Sequence, residues 1–399
     1  MGKWVKKKLG EVIIDSYAGG TPNRNREDFF GGEIPWVTSG EVNNPEIIST
    51  MENITEAGIK GSSAKWIPEN SILVALYGAT AGQVSMLKIK ATSNQAVLAI
   101  IPNNEIIDTD FLHNQICFNK QNLLFLAQGS GQPNLSKNIV DRLPISYPSS
   151  LPEQRRIASI LSSADKVIDS TQKLIAKYKQ IKQGMMEDLL KPKEGWKKVK
   201  FDNFFEMLPN NTLSREDLNS QGGSFQNIHY GDVLIKYPYC LDCNIHEIPY
   251  INRDVKFNST KAIDGDVIFA DTAEDDTVGK CVELINVGDR KIVSGLHTYL
   301  CRPKFKMSVG YLGYFLNSNV YHNQLLPYIA GSKVSSVNRK SIAQTYICFP
   351  DLSEQCRIAS ILSGIDKKIE SEEKVLEKYK KIKKGLMEKL LNCENNCLL

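Results

Sequence analysis

Hydrophobic positions along this 399-residue chain follow two alternating rules. Over 151–191 and again over 352–392, apolar side chains recur at three- and four-residue steps. The first set is Ile157, Leu161, Ala164, Ile168, Ile175, Tyr178, Met185 and Leu189; the second is Ile358, Leu362, Ile365, Ile369, Leu376, Tyr379, Leu386 and Leu390. A seam sustained over about four heptads predicts coiled-coil packing, with each stretch the simplest mate for the other. Thr171 and Lys182, and Glu372 and Lys383, interrupt the seam, where Leu174, Ile181, Val375 and Ile382 widen it. Ser150-x-x-Glu153 and Asp351-x-x-Glu354 resemble capping boxes, and Pro152 fits a first helical turn. A helix of about 38 residues spans roughly 57 Å. Gly184 and Gly385, mid-helix where Gly costs about 1 kcal/mol, predict close helix approach or a bend.

Between these stretches the period falls to two. Glu33–Thr38, Ile72–Tyr77, Gln83–Leu87 and Ala96–Ile101 read as strands, and 110–125 reads as a helix. The plan repeats with strands near Val233 and over Val267–Ala270, Val282–Ile285 and Thr298–Cys301, followed by a helix over 309–326. Each such segment is a mixed α/β domain of an α+β chain. The predicted organisation is a domain at 1–150, a helix at 151–191, a second domain at 192–351, a second helix at 352–392 and a tail at 393–399.

The plan is an internal repeat. Segments 151–191 and 352–392 align at a constant offset of 201 without a gap, with 25 identities in 41 positions. Weaker echoes lie outside: Trp4…Leu9 with Trp196…Phe201, Ile34-Pro-Trp36 with Ile248-Pro-Tyr250, and Ser71–Ala75 with Asp266–Ala270. Near-identical helices imply near-identical contacts. Diverged domains on one scaffold imply different ligands. The arrangement predicts two unlike surfaces held in a fixed, quasi-symmetric relation.

Charge narrows the ligand class. The net charge of +4 is the sum of −1, +3, 0 and +2 over 1–150, 151–191, 192–351 and 352–399. Any nucleic-acid contact therefore rests on local arrangement, not on a global field. Loop residues suited to DNA are Thr21, Asn23, Arg24, Asn25 and Arg26, and at the matching place Asn210, Asn211, Thr212 and Arg215. Arg reads guanine and Asn reads adenine by paired hydrogen bonds, while Ser, Thr and backbone amides take phosphates. The loops 129–134 (Ser130, Gln132, Asn134) and 331–336 (Ser332, Lys333) suit phosphate through backbone N–H groups. Gln154, Arg156, Gln355 and Arg357 fall outside the helical seam and are candidates for docking a partner.

Several chemistries find no motif. No phosphate-binding loop with its lysine, no dinucleotide or S-adenosylmethionine fingerprint and no catalytic triad are present. Cys240-x-x-Cys243 with His246 lacks a second ligand pair, so no metal is expected. The acidic run Asp271, Glu274, Asp275, Asp276 lacks a lysine partner, although a metal-dependent nuclease or a protein-binding tandem scaffold are the rival readings. Nine scattered cysteines suit a reducing, cytoplasmic setting. No stretch of about 18 apolar residues and no secretory leader are expected. The chain reads as a recogniser, with no catalytic residue.

The motifs Gly-Gly-Thr-Pro22, Gly-Gly-Glu-Ile-Pro-Trp36, Val-Thr-Ser-Gly40, Tyr-Gly-Ala-Thr-Ala-Gly82 and Pro-Glu-Gln-Arg-Arg-Ile157 carry a resemblance. So do His-Tyr-Gly-Asp232, Ile-Pro-Tyr250, Gly-Asp-Val-Ile-Phe-Ala-Asp271, Val-Gly-Lys280, Gly-Leu-His-Thr298 and Glu-Gln-x-Arg-Ile358. Over 1–392 the chain resembles the specificity subunits of type I restriction–modification systems. The resemblance implies two target-recognition domains, each reading one half of a split DNA site. It also implies an antiparallel coiled coil with a pseudo-two-fold, which sets the unread spacer and docks two methyltransferase subunits, with restriction/translocase subunits joining. S-adenosylmethionine, ATP and Mg²⁺ would sit on those partners, leaving no cofactor in this chain. It adds Thr38, Ser39, Thr80, Gln83, His229, Tyr230, Arg253, Thr272, Lys280, His297 and Arg339 to the candidate DNA contacts. Cys356, where the first copy has Arg155, departs from the repeat.

Overall fold

A computed structural model describes residues 3–126, 134–252, 255–275, 277–331 and 334–392. The chain divides into two compact units, Met1–Gln172 with Val375–Leu399, and Lys173–Lys374. The central helix runs Leu151–Leu190 and the C-terminal helix Leu352–Leu391. Each unit therefore holds one α/β domain and one part of each helix.

In the first unit a five-stranded sheet has the order Ile13–Ala18, Val97–Pro102, Ile72–Ala75, Val84–Leu87, Glu46–Ile47. All neighbours are antiparallel except the last pair. A three-stranded sheet sets Phe30–Val37 between Glu52–Ile54 and Thr92–Ser93. The second unit repeats the five-stranded order with Phe205–Leu208, Thr298–Pro303, Val267–Ala270, Cys281–Ile285 and Cys240–Asp242, again with a parallel last pair. Chain direction matches strand for strand, so the two five-stranded sheets share one topology, while the second unit's counterpart of the three-stranded sheet has four strands, with Leu218–Asn219 at its edge. Strands buried on both faces explain the unbroken apolar runs Ile72–Ala75 and Val267–Ala270.

Register fixes which residues correspond. Val37 pairs with Ser93 in parallel, and Ile228 pairs with Ser294 in parallel. The counterpart of Ile34-Pro-Trp36 is therefore the strand Gln226–Ile228. The Ile248-Pro-Tyr250 echo is a chance likeness, since Tyr250 lies on the strand beside it. Other expectations shift for physical reasons. The helix foreseen over 110–125 is two, Thr109–Phe118 and Lys120–Leu126, broken at Asn119. That over 309–326 is Tyr311–Leu316 and Asn319–Leu325, parted at Ser318, whose N–H and Oγ both donate to Phe315 O. The stretch around Val233 is a helical turn, Asp232–Lys236, whose N-terminus follows Gly231.

Within each unit the helices lie antiparallel, as their ion pairs show. In the first unit Lys383 pairs with Asp165; in the second Lys182 pairs with Asp366 at 2.6 Å and Lys179 with Glu373 at 2.8 Å. Asp165 and Asp366, and Lys182 and Lys383, are repeat mates, so the same bridge is made once in each unit. The lysines that interrupt the apolar seam are thus half-buried partners of seam carboxylates. Near the helix ends the stripe rotates by one residue: Met186 and Leu190 are buried where Met185 and Leu189 are partly so. There the central helix packs with Ile358 and Leu362 of its mate into the core around Phe201, Phe204 and Tyr311. The end of the C-terminal helix does the same in the first unit, Leu391 packing with Leu9, Phe111 and Leu143. Gly184 and Gly385 are exposed, with nothing within 4 Å of an added Cβ. No close approach occurs at either.

Candidate nucleic-acid interface

Hydrogen bonds repeated in both domains tie neighbouring loops of each together. Gly20 N–H donates to Ser93 O (2.8 Å) and Asn211 N–H to Ser294 O (2.9 Å). Leu76 N–H donates to Ala96 O and Asp271 N–H to His297 O. Gly82 N–H donates to Ala75 O and Gly279 N–H to Ala270 O, closing equivalent hairpins. Gly78, Gly82 and Gly279 take φ of 82°, 74° and 87°, the left-handed region that favours glycine.

In the first unit these loops carry Thr21, Asn23, Arg24, Arg26, Thr38, Ser39, Thr80 and Gln83. Arg24 lies over the Phe30 and Trp36 rings, 4.8 and 5.1 Å from their centroids, and pairs with Glu52. Arg26 forms a fork with Asp28 (2.7 Å twice) and covers Phe29. Both pairs are exposed, so either arginine exchanges its carboxylate for a phosphate at little cost. Thr21 bonds Gln95, and Asn23 closes an Asx turn onto Asn25 N–H. Buried Glu41 accepts from Thr38 N–H (2.7 Å), Thr38 Oγ1 (2.8 Å) and Met51 N–H (2.8 Å), which pins the loop.

In the second unit Arg215, His229, Tyr230, Thr272 and His297 converge. Arg215 forms a fork with Asp232, at 3.0 and 2.8 Å. Tyr230 lies between the two imidazoles, with ring centroids 4.5 Å from His229 and 5.4 Å from His297. His229 Nδ1 accepts from Gly231 N–H, and burial together with the Arg215 charge pulls its imidazole below the ordinary range. His297 has φ 53°, an uncommon conformation for a side-chain-bearing residue, and its Nδ1 lies 3.3 Å from Asp271 Oδ1. Thr272 Oγ1 donates to the same oxygen at 2.8 Å. Arg339, exposed, lies 5.1 Å over the Tyr299 ring. The aromatic and acidic neighbours were not legible in sequence, because the loops are far apart along the chain.

Other candidates serve the scaffold. Asn211 is buried, donating to Asn227 Oδ1 (2.8 Å) and accepting from Leu213 N–H (3.1 Å). Lys280 donates to Leu234 O at 2.6 Å, and burial lowers its ammonium pKa. Gln83 accepts from Lys120 at 2.9 Å. Gln154 and Gln355 are buried and are not docking groups. Gln154 accepts from Asp108 N–H (2.7 Å) and donates to Pro148 O (2.8 Å), while Gln355 accepts from Ser308 N–H (2.9 Å) and donates to Pro350 O (2.9 Å). The two amides make the same joint between helix and domain in each unit. Arg156 and Arg357 are exposed, the latter paired with Glu354. Asn134 is exposed beside Leu135, whose N–H joins Leu76 O. Ser130, Gln132, Arg253, Ser332 and Lys333 lie outside the described residues, as does Asp276.

Cys240 and Cys243 donate to separate carbonyls, Gly310 O and Leu241 O. Among the described residues no three His, Cys, Asp or Glu side chains are placed to hold a metal. Asp275 is spent on Thr277 and Asp271 on Thr272 and His297, so the 271–276 run gives the nuclease reading no support. Among the described residues no helix is long and apolar enough to cross a membrane.

The family model for the type I restriction modification DNA specificity domain matches residues 1–180 and 193–381. The chain belongs to that family. It is 24% identical over 98% of its length to the MjaVIII specificity subunit of Methanocaldococcus jannaschii, covering 89% of that protein. It is 29% identical to a type I restriction enzyme specificity subunit of Escherichia coli, over 45% of this chain and 46% of that one. The chain thus matches about half the length of the Escherichia coli relative. The fold resembles the S subunit of a type I restriction–modification system from M. genitalium, with TM-score 0.59, 14% identity and coverage of 98% and 96%. Family membership accounts for the doubled match, one model copy falling on each domain with its helix.

Proposed function

We propose that this chain is the non-catalytic DNA-reading subunit of a type I restriction–modification complex. Each domain reads one half of a bipartite, asymmetric duplex site through the loops described above. One observation carries this reading: the two sets of loops share a hydrogen-bonded scaffold but present different side chains. Thr38 and Ser39 in the first occupy the register positions of His229 and Tyr230 in the second. Equal frames with unlike faces are what two unlike half-sites require. Binding both halves is intramolecular after the first, which raises effective concentration without new contacts.

The paired helices act as spacer and as the docking rod for two methyltransferase subunits, with restriction/translocase subunits joining them. The antiparallel ion pairs repeated in each unit support this part. S-adenosylmethionine, ATP and Mg²⁺ belong to those partners. Methylation sequencing of a strain expressing this chain with its methyltransferase subunits tests the reading. A split motif with two fixed halves is expected, and a gel shift of that duplex should strengthen when the methyltransferase subunits are added. Absence of any chain-dependent motif sinks it.

A further inference from the structure

Arg215 differs from every other arginine of the two sets of loops in what stands behind it. It is the first residue of a short 3-10 turn, Arg215–Asp217, held by Ser214 N–H and Oγ donating to Asp217 Oδ2 at 2.8 and 3.1 Å. Asn252 ties the same turn to the adjacent strand, its N–H donating to Asp217 O and its Nδ2 to Glu216 O. The backbone of Arg215 is therefore fixed. Its guanidinium is fixed as well: Nη1 and Nη2 both donate to Asp232, whose side chain is 3% exposed against 51% for Arg215. This end-on fork uses one edge of the guanidinium. The Nε–Nη2 edge carries no further hydrogen bond among the described residues, and it is the edge that matches two acceptors side by side.

The charge balance points the same way. A buried carboxylate offsets the positive charge of Arg215, so the pair draws little on phosphate at long range. What remains is a donor pair of set direction, which is the requirement for reading O6 and N7 of guanine. The register position of Asp232 is held by Glu41 in the first domain, and there the acid closes its own loop on Thr38 and Met51. One scaffold acid thus aims an arginine in the second domain and aims none in the first.

We propose that Arg215 reads a guanine in the half-site of the second domain and that Asp232 is the residue that positions it. This rests on the DNA-reading function proposed above. The test uses the full chain assembled with its methyltransferase subunits. Duplexes carry the methylation-defined site with each base pair of both halves replaced in turn, and affinity is measured at several salt concentrations. Arg215→Lys and Arg215→Ala are expected to lose about ten- to hundredfold in discrimination at a single G·C pair of one half-site, other positions and the salt dependence unchanged. Asp232→Asn is expected to lose part of the discrimination at that same pair. If Asp232→Asn or Arg215→Ala does not fold, Arg215→Lys, which keeps a cation beside the buried Asp232, decides alone. Uniform weakening across all sequences with a shallower salt slope makes Arg215 a phosphate contact and overturns the proposal. Unaltered discrimination overturns it as well. Failure of the unmodified complex to select any sequence sinks the DNA-reading function itself.

Discussion

Glu283 lies 1% exposed, accepting from Gly310 N–H at 2.8 Å and Gly313 N–H at 2.7 Å. Burial raises its carboxyl to about 7 from 4.5, against the lowering pull of those two amides. Between these values the folded chain holds a proton that the unfolded chain has lost. The protonated group's contribution is therefore fully present below about pH 4.5 and is lost as pH rises to about 7, above which the group adds no further slope. Thermal melts of the chain and Glu283→Gln at pH 5 and pH 8 should show the larger decline in the unmodified chain. Equal declines would mean that Glu283 does not titrate there. The same neighbourhood explains Gly313, where an added Cβ would stand 2.4 Å from Tyr239 O. Gly313→Ala is expected to destabilise the second unit by about 1–3 kcal/mol, read by urea unfolding. At this scale the sequence was legible in kind but not in role. Asn211, Lys280 and Gln154 have the right chemistry for DNA or partner contact, yet each is consumed inside its own domain. Each has at least one partner distant in sequence, Asn227, Leu234 and Asp108 in turn, so no local pattern separates them from Arg215 or Arg24.

The helices were the most legible elements, because a 3/4 repeat over 40 residues has few alternatives. The duplication named each helix as the other's mate, while their direction came from the family resemblance and is seen in the ion pairs. What periodicity missed is the turn of the stripe toward Met186 and Leu190, since tertiary packing decides it. The glycines test how far the helix surface is open. With nothing near the missing Cβ, Gly184→Ala and Gly385→Ala should each stabilise the isolated chain by about 0.5–1 kcal/mol in urea unfolding. A loss of stability would place an undetected neighbour there. The buried glutamines give the opposite sign. Gln154→Ala and Gln355→Ala each leave backbone groups unpaired at the joint of helix and domain, a cost of about 1–3 kcal/mol. Unfolding of the chain without partners measures it, and an unchanged midpoint would return these residues to the docking surface.

At the scale of the whole molecule, the proposed spacer role ties a protein length to a DNA length. The seam must survive shortening, so whole heptads are removed from both helices at repeat-matched places. Deleting 167–180 together with 368–381 does this and keeps the mated bridges of Asp165 with Lys383 and Lys182 with Asp366. Fourteen residues at about 1.5 Å each remove on the order of 21 Å, which is on the order of six base pairs at 3.4 Å per step. Both halves of the methylated motif should then persist, separated by a shorter spacer. Six base pairs is more than half a duplex turn, so the shortened chain also meets its second half-site out of phase. Slower methylation should accompany the shift, because DNA must twist or bend to compensate. Methylation sequencing reads both quantities in one experiment. A motif with unaltered halves and an unaltered spacer would refute the helices as a ruler while leaving the two sets of reading loops intact.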